Sequence, residues 1–267
     1  VKTYFEIKLC TLGWGLFGYM SQILGHLKMF EDSGIDAIPF VDVKNNDYGD
    51  PSEDLDGYSP FFKSLCDFSP AEIRAQELAG ECKIIPSPHG DDRGRAWAFG
   101  NNMWPPDHLP LLEAGTPIYK KYIKVHDSIT ADIDKFYAEK LEGKKTLAVH
   151  IRGLDKYIEM KPTSLPYIFE MIQQKIISFG YEQVYVCTDE TRILEYLQAR
   201  ITEEFLNISF LKSASKRING KRPLYVINRD DYIDNPDICY GISDSDYTNF
   251  QKGYDVIFDV FTMARCQ

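Results

Sequence analysis

The sequence predicts an α/β protein of two domains, the first opening as a Rossmann-like half and the second built on a parallel sheet. Three observations predict it. The chain opens on a strand, a glycine loop and a helix; its second half alternates strand and helix; and one buried strand, Thr146–Ile151, runs straight into a polar cluster. That cluster, His150, Arg152, Gly153, Asp155 and Lys156, has the character of the carboxyl edge of an open sheet, where such folds hold ligands. The 267 residues suit two domains of ordinary size, and 44% hydrophobic with 13% aromatic content supplies two cores. The boundary is expected near residue 143, giving domains 1–143 and 144–267.

Formal net charge is −10, which argues against a nucleic-acid-binding surface spread over the protein. An acidic chain that binds an anion must do so through a local basic cluster, and Arg152 with Lys156 is one. The six cysteines are scattered without any CxxC spacing, so neither a zinc site nor a disulfide framework is expected. That usage leans towards a reducing, cytoplasmic setting. No run of about eighteen apolar residues would span a bilayer. The start, Val1 to Leu9, does not read as a signal peptide. Because it lacks an initiator Met, a trimmed terminus is the other expectation, and a trimmed catalytic domain would fit a Golgi or endoplasmic-reticulum lumen.

Tyr4 to Leu9 reads as the first strand. Gly13, Gly15 and Gly18 follow, with Trp14 and Phe17 in the gaps, and Tyr19 to Phe30 has helical spacing. Glycines there allow close approach of a ligand to the backbone, and equally a tight turn with no ligand. Gly34 closes the helix, and Ile35 to Val43 is the second strand. A polar loop, a short helix over Pro70 to Leu78 and a strand over Lys83 to Pro86 come next. The His89–Arg95 loop then meets Trp97, Phe99, Asn101, Asn102 and Trp104. Aromatics and amides of this kind suit stacking and hydrogen bonding to sugars, and equally a satellite core beneath a long loop. Thr116 to Leu141 reads as one long amphipathic helix stopped by Gly143.

In the second half, Leu165 to Ser178 reads as a helix, Gln183 to Cys187 as a buried strand, Thr191 to Ile201 as a helix and Ile208 to Leu211 as a strand. Thr188, Asp189 and Glu190 are polar at the carboxyl end of the middle strand. Lys212 to Lys252 has little regular pattern, and Gly253 to Arg265 reads as an apolar helix carrying Asp255 and Asp259 on one face. An acid among apolar neighbours needs a partner. The paired N–H donors of a guanine would provide one; a position in the first helical turn is the other account, and suits Asp255 better.

Three stretches together resemble the GDP-fucose-dependent fucosyltransferases: Val149-His150-Ile151-Arg152-Gly153-Leu154-Asp155-Lys156, Val184-Tyr185-Val186-Cys187-Thr188-Asp189-Glu190, and the helix from Asp255 to Arg265. Their order and spacing match the nodulation and core α1,6-fucosyltransferases, with the protein O-fucosyltransferases more distant, over residues 144–267. The resemblance implies a GT-B architecture, two Rossmann-like domains facing a cleft, and an inverting transfer of fucose from GDP-fucose to a glycan hydroxyl with no metal. It implies that Arg152 meets the donor diphosphate, His150 lines the nucleotide pocket, Asp259 reads guanine and Val256 gives it a backbone contact. Asp155, Lys156 and Asp189 would organise the site, Lys156 among the catalytic groups, and Glu159 would be the base. Gly13 and Gly15 resemble the family's first loop, and Trp97, Asn101 and Trp104 are the acceptor-side candidates.

Two features depart from the pattern. Gly153 stands where many members have a second Arg, and the family's helix is followed by a strand and a Ser/Thr-rich loop that holds the diphosphate. The sequence ends at Arg265-Cys266-Gln267, so either it continues further or the donor site is finished differently. Two rival readings share these residues: a transferase for another GDP-sugar, and a non-catalytic nucleotide- or sugar-binding module of the same fold.

Overall fold

The structure, a computed structural model, describes residues 1–9, 15–43, 48, 57–87, 109–152, 163–188, 190–213 and 248–266. It is a mixed α/β protein with two compact units, residues 1–130 and 131–267, each holding a three-stranded parallel sheet.

In the first unit β1 (Lys2–Leu9) leads to α1 (Leu16–Ser33), β2 (Ile38–Val43), α2 (Pro70–Leu78) and β3 (Cys82–Pro86). The sheet order β2-β1-β3 is parallel throughout. The chain therefore steps from β1 to one side and then crosses back over it. Crossovers of one hand taken in opposite directions place α1 and α2 on opposite faces. The packing agrees: Phe5 meets Phe30 of α1 with ring centroids 5.0 Å apart, while Tyr4 and Phe40 cluster with Ile73 of α2. Hence β1 is buried on both faces, as an apolar parallel strand should be. The chain thus switches direction beside β1, and open parallel sheets tend to bind ligands at the carboxyl end of a strand at such a switch.

Local signals fix the helix ends. Gly34 adopts φ 61°, the left-handed conformation that a C-cap glycine takes most easily, and closes α1. Ser69 and Glu72 form a reciprocal capping box at the start of α2, each satisfying the other's backbone N–H.

The stretch expected to be a single helix over Thr116–Leu141 is two helices, α3 (Leu109–Tyr122) and α4 (Asp127–Lys140). Between them the backbone bonds elsewhere. Val125 bridges Phe62 antiparallel, the Lys63 N–H donates to the Lys124 carbonyl at 2.7 Å, and the His126 N–H donates to the Phe61 carbonyl at 3.0 Å. Those non-local bonds replace the helical ladder for one turn. Asp127 then begins α4, where the helix N-terminus favours an acid.

The second unit contains β4 (Thr146–Ile151), α5 (Leu165–Phe179), β5 (Gln183–Thr188), α6 (Thr191–Glu204), β6 (Ser209–Lys212) and α7 (Asn249–Met263). Its order β4-β5-β6 keeps one direction, so α5 and α6 share a face. Val184 and Val186 of β5 and Ile151 of β4 pack there against Phe169, Ile172, Ile193 and Leu197. The opposite face meets α7 and the part of α4 beyond Ala131. Phe136 lies 5.8 Å from Tyr185 and 5.4 Å from Phe258, centroid to centroid. The Tyr254 hydroxyl donates to Asp132 at 2.7 Å, and Arg265 pairs with Asp134. The last helix starts earlier than its apolar pattern suggests, because the Thr248 side chain caps it by accepting the Gln251 N–H at 3.1 Å. Among the described residues, no helix is long and apolar enough to cross a membrane.

Candidate functional site

Polar residues of the second unit lie at or just past the carboxyl ends of its strands: His150 and Arg152 at β4, Thr188 at β5 and Ser213 after β6. Parallel register sets His150 beside Cys187 and Ile151 beside Thr188. Paired residues in a sheet share a face, so His150 joins Tyr185 and Cys187 on the side that α7 covers. His150 and Arg152 are both exposed. The strand ends at Ile151, so the alternation carries His150, while Arg152 lies one residue beyond the last strand position. It stands at the sheet's carboxyl edge.

Beside it, the Thr188 hydroxyl accepts the Glu190 N–H at 3.3 Å, turning the chain from β5 into α6. Glu190 is buried at the N-cap of α6, a position where the helix dipole favours negative charge.

Asp259 lies on α7 one turn after Val256, and both are half-buried. One oxygen of its carboxylate, Oδ1, receives two hydroxyls. The Tyr185 hydroxyl donates from the middle of β5 at 3.3 Å, and the Ser213 hydroxyl donates from just beyond β6. Both donors are buried, Tyr185 fully and Ser213 at 1% exposure. Ser213 is itself fixed by its backbone N–H, which donates to the Val186 carbonyl at 3.0 Å. Burial raises the Tyr185 hydroxyl far above the ordinary phenol value, and Cys187 and the Asp259 charge push it the same way. It therefore stays protonated and can only serve the carboxylate as a donor.

Asp255 sits differently. It is buried, and Gln251 donates to its Oδ1 at 2.6 Å. It is the seventh residue of α7, so the account that placed it in the first helical turn is corrected: the Thr248 cap moves that turn upstream.

Gly15, in the first unit, is the N-cap of α1 with φ −64° and ψ 156°. Those angles are open to any residue, so the backbone conformation at Gly15 does not require glycine. Gly13, Trp97, Asn101, Trp104, Asp155, Lys156, Glu159 and Asp189 lie outside the described residues.

Two participants escape the sequence reading, Tyr185 and Ser213. A signal existed for the first: it carries a hydroxyl in a strand whose every residue is buried, and a buried tyrosine hydroxyl usually finds a partner. Ser213 gave none, since it opens a polar segment.

No family model matches this chain, and no curated protein matches it by sequence. Solved structures do resemble it. NodZ alpha-1,6-fucosyltransferase soaked with GDP-fucose is 15% identical, with a TM-score of 0.50 over 100% of this chain and 86% of that one. NodZ from Bradyrhizobium is 13% identical over 100% and 87%, with a TM-score of 0.49. POFUT1 in complex with GDP is 14% identical over 78% and 84%, with a TM-score of 0.42. At these identities a likeness speaks to the fold, and the first of the three carries it: the chain has a GDP-fucose-fucosyltransferase-like fold.

Proposed function

We propose that this chain is a metal-independent, inverting glycosyltransferase of GT-B architecture that moves fucose from GDP-fucose to a hydroxyl of a glycan. The donor belongs to the domain over residues 144–267, and the acceptor side to residues 1–143. The observation that carries this reading is Arg152 immediately past β4, at the carboxyl edge of a parallel sheet. A diphosphate leaving without a metal needs a fixed cation where its charge develops, and a guanidinium fork suits its oxygens.

In the proposed reaction the acceptor oxygen attacks the anomeric carbon in line as the bond from that carbon to the diphosphate oxygen breaks. The acceptor proton passes to a carboxylate, for which Glu159 is the candidate. The electron pair leaves with GDP and is met by Arg152. Asp259 takes the guanine N–H donors, Val256 offers the base a backbone contact and His150 lines the nucleotide pocket. Lys156, Asp155 and Asp189 are the further polar groups assigned to the donor, and Gly13 and Gly15 are donor candidates because glycine lets a ligand come close to the backbone. Trp97, Asn101 and Trp104 form the acceptor surface.

Release of GDP from GDP-fucose tests the proposal. Arg152→Ala should lower it about 10²–10³-fold, the cost of removing one preorganised charge-stabilising donor, with the protein still folded. Unaltered turnover would remove Arg152 from the mechanism. GDP binding without turnover on any acceptor would instead favour a non-catalytic nucleotide-binding module.

A further inference from the structure

We infer that Tyr185 and Ser213 are positioning residues for base recognition, clamping Asp259 through one carboxylate oxygen so that the acid is presented to a guanine in a fixed orientation. This rests on the proposed donor reading and deepens it. A half-buried aspartate on a helix has several rotamers, and a base selector must keep one. Here two hydroxyls arrive from different strands. Tyr185 comes from β5, and Ser213 from the end of β6 with its backbone tied to Val186. Both converge on Oδ1.

Tyr185 and Ser213 bring neutral donors, which stabilise the ionised acid without cancelling its charge. Adenine presents an acceptor at N1 where guanine presents a donor, so an ionised, immobile carboxylate discriminates between them. A mobile one would do so less well.

The experiment compares binding of GDP, inosine diphosphate (which lacks the N2 amino group) and pyrophosphate to the full chain and to Ser213→Ala, Ser213→Thr, Tyr185→Phe and Asp259→Ala. Each hydroxyl deletion should weaken GDP about tenfold, the scale of one hydrogen bond to a charged group. It should also narrow the preference for GDP over inosine diphosphate and leave pyrophosphate unchanged. Ser213→Thr, which keeps the hydroxyl, should restore GDP binding.

If Asp259→Ala abolishes the guanine preference while Ser213→Ala and Tyr185→Phe keep it, the positioning role is overturned and the donor reading stands. If Asp259→Ala leaves GDP binding intact, the guanine role itself fails, and the clamp with it. Should the hydroxyl variants not fold, a crystal of the unmodified protein with GDP decides. Both hydroxyls on Oδ1 with the guanine donors facing the same carboxylate supports the clamp, and a guanine bound elsewhere overturns it.

Discussion

Arg74, on α2, holds two acids at once: Glu6 of β1 and Asp42 of β2. Both carboxylates are nearly inaccessible, Glu6 at 6% and Asp42 at 1% exposure, whereas the arginine reaches partly into solvent. Burial alone would lower the guanidinium's pKa. The hydrogen bonds with Asp42 and Glu6 and the two negative charges outweigh it, so the net shift is upward. The same geometry sets the cost of losing it. Arg74→Met would leave two buried carboxylates side by side without a cation. Breaking a buried pair in this way typically costs about 3 kcal/mol or more, well beyond what an exposed pair contributes. A urea titration should show the unfolding free energy falling by that amount at neutral pH, read as a lower midpoint with the slope unchanged. A variant as stable as the parent would mean that the acids had found other partners. This cluster and the Asp259 cluster follow one rule, that an acid enters the interior only with donors aimed at it.

At the level of elements, α1 and α3 are joined by Glu31, which receives both the Lys121 ammonium and the Tyr122 hydroxyl. Those two hydrogen bonds, the Lys121 one foremost, hold the Glu31 carboxyl below its ordinary value against the opposing effect of burial. A carboxylate whose folded pKa is depressed contributes stability above its unfolded value, near 4.5 for this group. That contribution fades as pH falls through the folded pKa. Melting temperatures from pH 7 down to pH 3 should therefore show an acid-side loss that Glu31→Gln lacks. The difference should be small beside the Arg74 effect, because the lysine is largely exposed. An identical acid limb in both proteins would refute the assignment.

How much of this was legible depends on whether an element's cause is local. α2 could be read because Ser69 and Glu72 sit three apart ahead of an apolar residue, and α1 because Gly34 follows its last turn. The break between α3 and α4 could not be read the same way. Ile123 and Val125 do alternate, but what ends the helix is bonding to Phe61 and Lys63, some sixty residues earlier. Of the site, the β4 edge with His150 and Arg152 was visible as a change of character along one strand. The Asp259 partners were not, because they come from positions 74 and 46 residues away and meet only when β5, β6 and α7 are assembled.

Across the whole molecule, the two units differ in how their sheets are ordered, and so in where each can form a crevice. The first reverses direction at β1; the second advances steadily from β4 to β6 and is overlaid by α7. Each has its own packed core, Tyr4, Phe40, Ile73 and Cys82 contributing in the first, Val184, Val186, Ile193 and Leu197 in the second. Two cores allow two responses. Under the donor reading GDP binds the second unit, and at a hundredfold excess over its Kd it should stabilise what it binds by about 2.7 kcal/mol. Arg74→Met acts on the first. Amide hydrogen exchange can distinguish them, since local opening free energies are read segment by segment. GDP should slow exchange in β4, β5 and α7 with little change in β1 and β2, and Arg74→Met should speed exchange in β1, β2 and α2 while the GDP-dependent protection of α7 persists. Protection by GDP confined to β1, β2 and α1 would move the nucleotide to the glycine-loop end of the first sheet and leave Arg152 and Asp259 without their proposed ligand.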